Sequence, residues 1–261
     1  MNDLIERVRR FFSNHSRRID FLDSISSDDF RLALIKVNNV RAGFLDYLSE
    51  SSSSPEFVSL GYNCLSAWYL KQSGLKRSSY PFDWIFSSPE IVEDCIRDDF
   101  EKYLDCRFFI DSGRHGAGHA IYHSSMFNHR DPRSSEKDFL YYKRSVKRFR
   151  DLKGNVVFFV TVVNEPGKRA DWFNGFDLDF SAPQKGVGDL VSLRNVLKEE
   201  FPDSKLIVIN YWTDSQKFDI KYKTDNGFIV DFHARGASDG VRFLDPLDDF
   251  LVKSILMSAV T

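Results

Sequence analysis

Three cysteines and six histidines are the side chains of this 261-residue chain best suited to nucleophilic and proton-transfer chemistry. Cys64 is set apart by its neighbours. Phe57 to Leu60 is apolar and suits a short buried strand. Gly61 and Asn63 tolerate the positive φ of a sharp turn. Leu65 to Leu70 carries good helix formers with a continuous apolar face. The order strand, tight turn, helix puts Cys64 at or just before the first helical turn, where free backbone N–H groups and the positive end of the helix dipole favour a thiolate. That chemistry is nucleophilic attack on an electrophilic carbon. The competing reading is a cysteine that packs as a small apolar filler. Cys95 lies in the apolar stripe of the next helix and reads as structural. Cys106 completes a set with no CxxC pair, which argues for a reducing compartment and against a disulfide framework or a cysteine zinc site.

The elements that must position such a nucleophile follow from the patterning. Hydrophobic residues make up 42% of the chain and charged residues 28%, and the 25 phenylalanines suit a substantial core. Residues 1–48 read as a helical appendage, with Leu4, Ile5, Val8, Phe11 and Phe12 and then Phe30, Leu34 and Val37 at helical spacing. Residues 49–55 form a serine-rich linker stopped by Pro55. Residues 56–261 read as one α/β domain. In it, Gly74 ends the Cys64 helix, and Ser88-Pro89-Glu90 starts a helix running to Leu104. Arg107–Ile110 and Ala120–Phe127 suggest strands, separated by a glycine-rich loop. Glu136–Leu152 is an amphipathic helix. Val156–Val163 and Leu206–Asn210 have the β-branched, unbroken character of strands buried on both faces, with a helix over Asp189–Phe201 between them. Phe218–Tyr222 and Phe228–Phe232 flank Asp225-Asn226-Gly227, a hairpin turn, and Asp245-Pro246 opens the last helix. The pattern predicts a layered α/β fold with a largely parallel sheet, helices on both faces and an antiparallel hairpin at one edge.

Bulk properties narrow the function. A formal net charge of −2 gives no global attraction to nucleic acid. The longest apolar run, near Val156 to Val163, is far short of a membrane span. Met1 to Arg18 has no signal-peptide core, so the cytoplasm is the default location, and delivery by a secretion system without a cleaved signal would look the same. Arg7, Arg9, Arg10, Arg17 and Arg18 offer either a docking surface for a protein partner or a solvated helix face. His115, His119 and His123 recur every four residues, but the glycines between them argue against a helix, and no metal or other cofactor is expected. Arg144 and Arg148 on the Glu136 helix could dock a substrate phosphate or carboxylate. Asn164 and Glu165 follow the Val156 strand at its carboxyl end, where open α/β sheets form sites. Neither a GxGxxG nor a P-loop sequence is present.

Ser59-Leu60-Gly61-Tyr62-Asn63-Cys64-Leu65-Ser66-Ala67, Ser79-Tyr80-Pro81-Phe82-Asp83-Trp84-Ile85, Phe127-Asn128-His129-Arg130-Asp131 and Arg144 to Phe149, in this order, resemble a bacterial domain family described as papain-like cysteine peptidases. The likeness covers residues 56–230 and leaves residues 1–50 outside. It implies a cysteine hydrolase. It also implies a papain-like α+β fold, against the parallel-sheet pattern of Val156–Asn210. With Cys64 as nucleophile, the base must come from elsewhere. His129 is the first choice, in a polar turn after a strand and inside a matching motif; His123 is second and His233 third. Asp83 or Asp131 would orient the imidazole. Asp83, between Phe82 and Trp84, needs a hydrogen-bonded role if buried, and Trp84 beside it is a substrate contact. The Cys64 backbone N–H and the Asn63 side chain would meet an oxyanion. The function expected is a cysteine-dependent hydrolase or acyltransferase acting on an acyl, amide or peptide group. The alternatives are a transferase or a sugar- or anion-binding domain in which Cys64 only packs, and a non-catalytic interaction module built on residues 1–48.

Overall fold

The computed structural model describes residues 27–49, 54–113, 116–163, 187–213 and 218–260. Among these, seven α-helices surround a five-stranded sheet, with a small three-stranded sheet beside it. The fold is α/β, with a mostly parallel main sheet.

The main sheet has the order β1 (Glu56–Ser59), β5 (Val156–Val163), β6 (Lys205–Trp212), β8 (Phe228–His233), β7 (Asp219–Lys223). The first four are parallel, and β7 pairs antiparallel with β8 to close the edge. The unbroken apolar runs of β5 and β6 belong to central strands covered on both faces. Odd-numbered Val157, Phe159, Ile207 and Ile209 face one core, and even-numbered Phe158, Leu206 and Val208 face the other. The first core is closed by α1 (Ser27–Ser49), α2 (Cys64–Gln72) and α7 (Pro246–Met257); the second by α3 (Pro89–Arg97), α5 (Glu136–Arg150) and α6 (Val187–Glu200). Of the stretch read as an N-terminal appendage, the described part buries Ala33, Leu34, Val37, Val40 and Phe44 in the first core. The basic residues Arg7 to Arg18 lie outside the described residues.

Local signals account for several boundaries. Gly74 has φ +74°, and the bonds Gly74 N to Lys71 O (3.2 Å) and Leu75 N to Leu70 O (3.0 Å) end α2 in a Schellman motif. Ser88 caps α3 through Ile91 N, and Asp245 caps α7 through Leu247 N and Asp248 N. Two expectations change. The helix read as continuous to Leu104 breaks after Arg97, because Asp99 and Phe100 take φ of +51° and +59° before α4 (Glu101–Leu104). That break turns Phe100 onto Phe82, Tyr103 and Phe149. The strand read over Ala120–Phe127 begins later, as β4 (His123–Phe127), and the glycine-rich loop before it contains β3 (Ala117–His119), paired with β2 (Phe109–Asp111) and β4. Gly118 permits this pairing, since a Cβ there would lie 2.0 Å from Ser124 O.

The turn after β1 is the tightest approach near Cys64. Gly61 has φ +81°, and a Cβ on it would lie 2.3 Å from Ser87 Oγ and 2.9 Å from Phe82 O. We expect Gly61→Ala to lower stability by about 2 kcal/mol or more, combining backbone strain with a clash. Urea unfolding followed by circular dichroism measures this; an unchanged midpoint would show that the turn relaxes freely.

Candidate active site

Cys64 is the first residue of α2. Asn63 caps that helix, its Oδ1 accepting from Leu65 N at 3.0 Å. Ser66, one turn in, locks the helix to the sheet. Its hydroxyl donates to Gly61 O at 2.7 Å, accepts from Thr161 N at 2.9 Å and lies 2.8 Å from Thr161 Oγ1. Thr161 belongs to the carboxyl half of β5, so Cys64 sits over the carboxyl end of the parallel strands, the end at which open α/β sheets build sites.

His129 comes from the other side. It lies in the turn after β4, and its Nε2 is 3.1 Å from Cys64 Sγ. The segment between α2 and α3 joins the two. Ser87 Oγ donates to Leu60 O at 3.0 Å and accepts from Tyr62 N at 2.8 Å, while Phe86 N donates to Met126 O at 3.0 Å. Tyr103 Oη fixes the same segment from below by donating to Pro81 O at 2.7 Å. Tyr62, two residues before the cysteine, and Trp84, within the brace, are two of the four described non-glycine residues with positive φ. Such backbone strain clusters at functional sites.

Electrostatics set the protonation of the pair. Cys64 is 5% exposed. Burial pushes its thiol up to about 12, and the Asp239 carboxylate adds to the rise. His129 is open to solvent on one side, yet burial of the other and the neighbouring Arg130 charge hold its imidazole below the ordinary value. Both influences favour the uncharged forms, a thiol beside a neutral imidazole, rather than the thiolate that the helix terminus alone suggests. Asp239 reaches this region from the loop after β8, where its Oδ1 accepts from Val241 N and Arg242 N.

The other residues singled out in the sequence are distributed as follows. Asp83 is 1% exposed; its Oδ2 accepts from Tyr80 N at 2.9 Å and pairs with Lys76, while its Oδ1 has no partner. Burial raises its carboxyl above the ordinary range, and Lys76 and the Tyr80 N–H act against that rise. Asp131 uses its carboxylate on its own turn, accepting from Arg133 N, Ser134 N and Ser134 Oγ. Among the described residues no carboxylate bonds to His129. Asn63 Nδ2 is buried without a partner one residue before Cys64. His123 opens β4, accepting from Ser125 N at Nδ1, and its ring packs 5.6 Å from Phe86. His233 ends β8, stacked on Trp212 at 4.4 Å. His119 is buried with its Nε2 on Lys102 O. Arg144 and Arg148 are exposed on α5, and Arg148 donates to Ser79 O. Asn164, Glu165 and His115 lie outside the described residues. Among the described residues no group of three histidine, cysteine or acidic side chains could hold a metal, and no helix is long and apolar enough to cross a membrane.

A cavity of about 340 Å³ opens beside His129, lined by Asp83, Trp84, His129, Arg130, Tyr141 and Tyr142. Sequence reasoning misses Ser66, Ser87, Tyr142 and Asp239. The first three look like ordinary helix or loop residues, and Ser238-Asp239-Gly240 carries only a turn signal.

Residues 55–127 match a family model described as "Putative papain-like cysteine peptidase". The match is narrower than the likeness read over 56–230. It contains Cys64, the Ser87 brace and Asp83, and it stops two residues before His129. No curated protein and no solved structure matches the chain. In the matched segment the cysteine follows a strand of a parallel sheet, which corrects the papain-like α+β alternative.

The raised thiol predicts slow labelling of Cys64 by iodoacetamide at pH 7, slower than the exposed Cys106, with the rate climbing through the alkaline range. Asp239→Asn removes a negative charge that opposes the thiolate. It should lower the thiol value and speed labelling at fixed pH by about two- to tenfold, up to one pKa unit. Peptide mass spectrometry across pH 6–10 checks both; a rate plateau already reached at pH 7 would contradict them.

Proposed function

We propose that the protein is a cysteine-dependent hydrolase or acyltransferase in which Cys64 is the nucleophile and His129 the base. The observation that carries this reading is the 3.1 Å contact between Sγ and Nε2 at the start of a helix, over the carboxyl end of a parallel sheet. The family description over residues 55–127 supports it independently.

The step runs from a neutral pair. As Sγ attacks an acyl carbon, the thiol proton passes to Nε2, the carbon–sulfur bond forms and the carbonyl oxygen becomes an oxyanion. The Cys64 backbone N–H, unpaired within the helix as a first-turn donor, and the unpartnered Asn63 Nδ2 are the donors suited to meet it. Collapse expels the leaving group, which takes the proton back from the imidazolium, and an acyl-cysteine remains. Water or another acceptor, deprotonated by the same imidazole, then releases the acyl group.

His129 works as part of a dyad in this reading. Asp131 is committed to its own turn, and Asp83 is held by Tyr80 N and Lys76 rather than bonding the ring. A general base acting in the attack contributes about 10²–10⁴-fold.

p-Nitrophenyl acetate tests the proposal. The expected result is a burst of p-nitrophenolate with one acetyl group on Cys64 by mass spectrometry. The burst should be absent in Cys64→Ala and slowed about 10²-fold or more in His129→Ala. Equal bursts from all three proteins, or acetylation elsewhere only, would overturn it.

A further inference from the structure

The cavity beside His129 is walled by flat groups. Trp84, Tyr141 and Tyr142 border it, together with the His129 imidazole and the Arg130 guanidinium. All five are planar and carry a π system. Trp84, Arg130 and Tyr141 are half-buried and so keep accessible surface. The Arg130 guanidinium lies 3.9 Å over the Tyr141 ring and donates to Asp138 Oδ1 at 2.8 Å, which fixes guanidinium and ring as one surface. Asp83 also borders the cavity, but its side chain has no accessible surface, and its carboxylate serves Tyr80 N and Lys76. It anchors the turn that carries Trp84 and meets no ligand.

That turn holds Trp84 at φ +60°. A bulky residue in the left-handed region is an outlier. It persists only where the surroundings impose it, and such outliers cluster at ligand sites. Here the bonds from Tyr80 N to Asp83 and from Tyr103 Oη to Pro81 O impose it.

Charge around the cavity is matched. Arg130 is met by Asp138, and Asp83 by Lys76. A cationic group would add a second positive charge beside His129, whose imidazole Arg130 already holds down. An anionic group would have to compete with Asp138 for Arg130. A neutral group meets neither penalty. At about 340 Å³ the space lies at the small end of ligand pockets, the scale of one side group. His129 connects it to the chemistry, since its ring borders the cavity and its Nε2 is 3.1 Å from Cys64 Sγ.

We propose that this cavity is the subsite of the Cys64–His129 pair for a neutral aromatic side group of the substrate, held by Trp84 and the Arg130–Tyr141 surface. The inference rests on the nucleophile reading of Cys64, because only that reading makes the cavity a substrate subsite. An aromatic ring gains offset or edge contacts with these walls beyond the burial that any apolar group of its size would gain.

A series of chloroacetamides tests it, ClCH2–CO–NH–CH2–R, with R a phenyl, cyclohexyl, carboxyphenyl or ammoniomethylphenyl group. Sγ forms a bond to the CH2 carbon, chloride leaves with the electron pair of the carbon–chlorine bond, and His129 takes the thiol proton. Labelling rates at Cys64, each divided by the rate of the same probe with glutathione, are read by mass spectrometry. Cyclohexyl is the more apolar ring, so burial alone would favour it. Phenyl should instead exceed cyclohexyl by about two- to tenfold, and should also exceed both charged rings. Tyr141→Leu keeps a good helix former and an apolar side chain while removing the ring, so the ratio of phenyl to cyclohexyl should fall to about one or below. The wild-type ratio decides even if that variant does not fold.

Saturation-transfer NMR of the unreactive acetamide analogues with Cys64→Ala separates the cavity from the chemistry. Phenyl binding ahead of cyclohexyl there, with Cys64 in the wild type labelled by every probe no faster than the buried Cys95, would keep the aromatic pocket and overturn the nucleophile. Fast, His129-dependent labelling in which cyclohexyl equals or exceeds phenyl, or in which a charged ring is fastest, would overturn the pocket and keep the nucleophile.

Discussion

The separation of Cys64 and His129 is governed by a hydroxyl that belongs to neither. Ser87 Oγ donates to Leu60 O and accepts from Tyr62 N, so it spans the turn that delivers the cysteine. One residue earlier, Phe86 N bonds Met126 O in the strand that delivers the histidine. Two parts of the chain that share no sheet are thus registered against one short segment. The segment is itself fixed by Asp83, whose Oδ2 holds Tyr80 N, and by Tyr103, whose hydroxyl holds Pro81 O. Ser66 supplies the remaining constraint by tying the turn and the helix to β5. A hydrogen-bonded frame of this kind, buried and nearly fully satisfied, holds side chains to the fractions of an ångström that proton transfer demands.

The same burial that makes the frame stiff sets the chemistry. A thiol at a helix terminus in water-rich surroundings would tend toward a thiolate. Here the low-dielectric setting and the Asp239 carboxylate oppose that charge, and Arg130 opposes an imidazolium. Both influences favour neutral partners, and in the proposed reaction attack and proton transfer are then coupled. A neutral buried thiol is also a poor target for oxidation, which follows thiolate character and exposure.

Much of the frame is legible in the sequence because its signals are local. Gly61 and Asn63 mark the turn, Ser88-Pro89 marks a helix start, and the β-branched run of β5 and the Asn226-Gly227 turn mark the sheet and its edge. Phe100 was not legible: a helical stripe continues through it, and only the distant Phe82 and Phe149 rings explain why the backbone turns there. Nor was β3, because Gly118 reads as loop until a strand approaches closely enough to require glycine. His129 enters through a motif rather than through spacing, since a contact across 65 positions leaves no periodic trace. Asp239 leaves none at all: its effect on Cys64 is Coulombic, and a turn residue looks the same whatever charge it faces.

The fold differs from the one the family description suggests, and the local geometry allows the proposed chemistry on either. In a papain-like enzyme the cysteine opens a long helix; in α/β hydrolases the nucleophile sits on a sharp strand-to-helix turn above a parallel sheet. Cys64 opens a helix, as in the first placement, but follows a strand of a parallel sheet, as in the second, with the positive φ at Gly61 and Tyr62, two to three residues ahead of it. The strain therefore aims the helix rather than the cysteine itself, and Cys64 keeps helical backbone. A cysteine needs only a backbone N–H, a base within hydrogen-bond reach and a pocket that holds the acyl group still. Those requirements constrain a few ångströms around Sγ and leave the architecture below free. The reach of the family match is consistent with this: it spans the turn, the helix and the brace, the parts that define the space around Sγ, and ends where β4 hands over to the turn carrying His129.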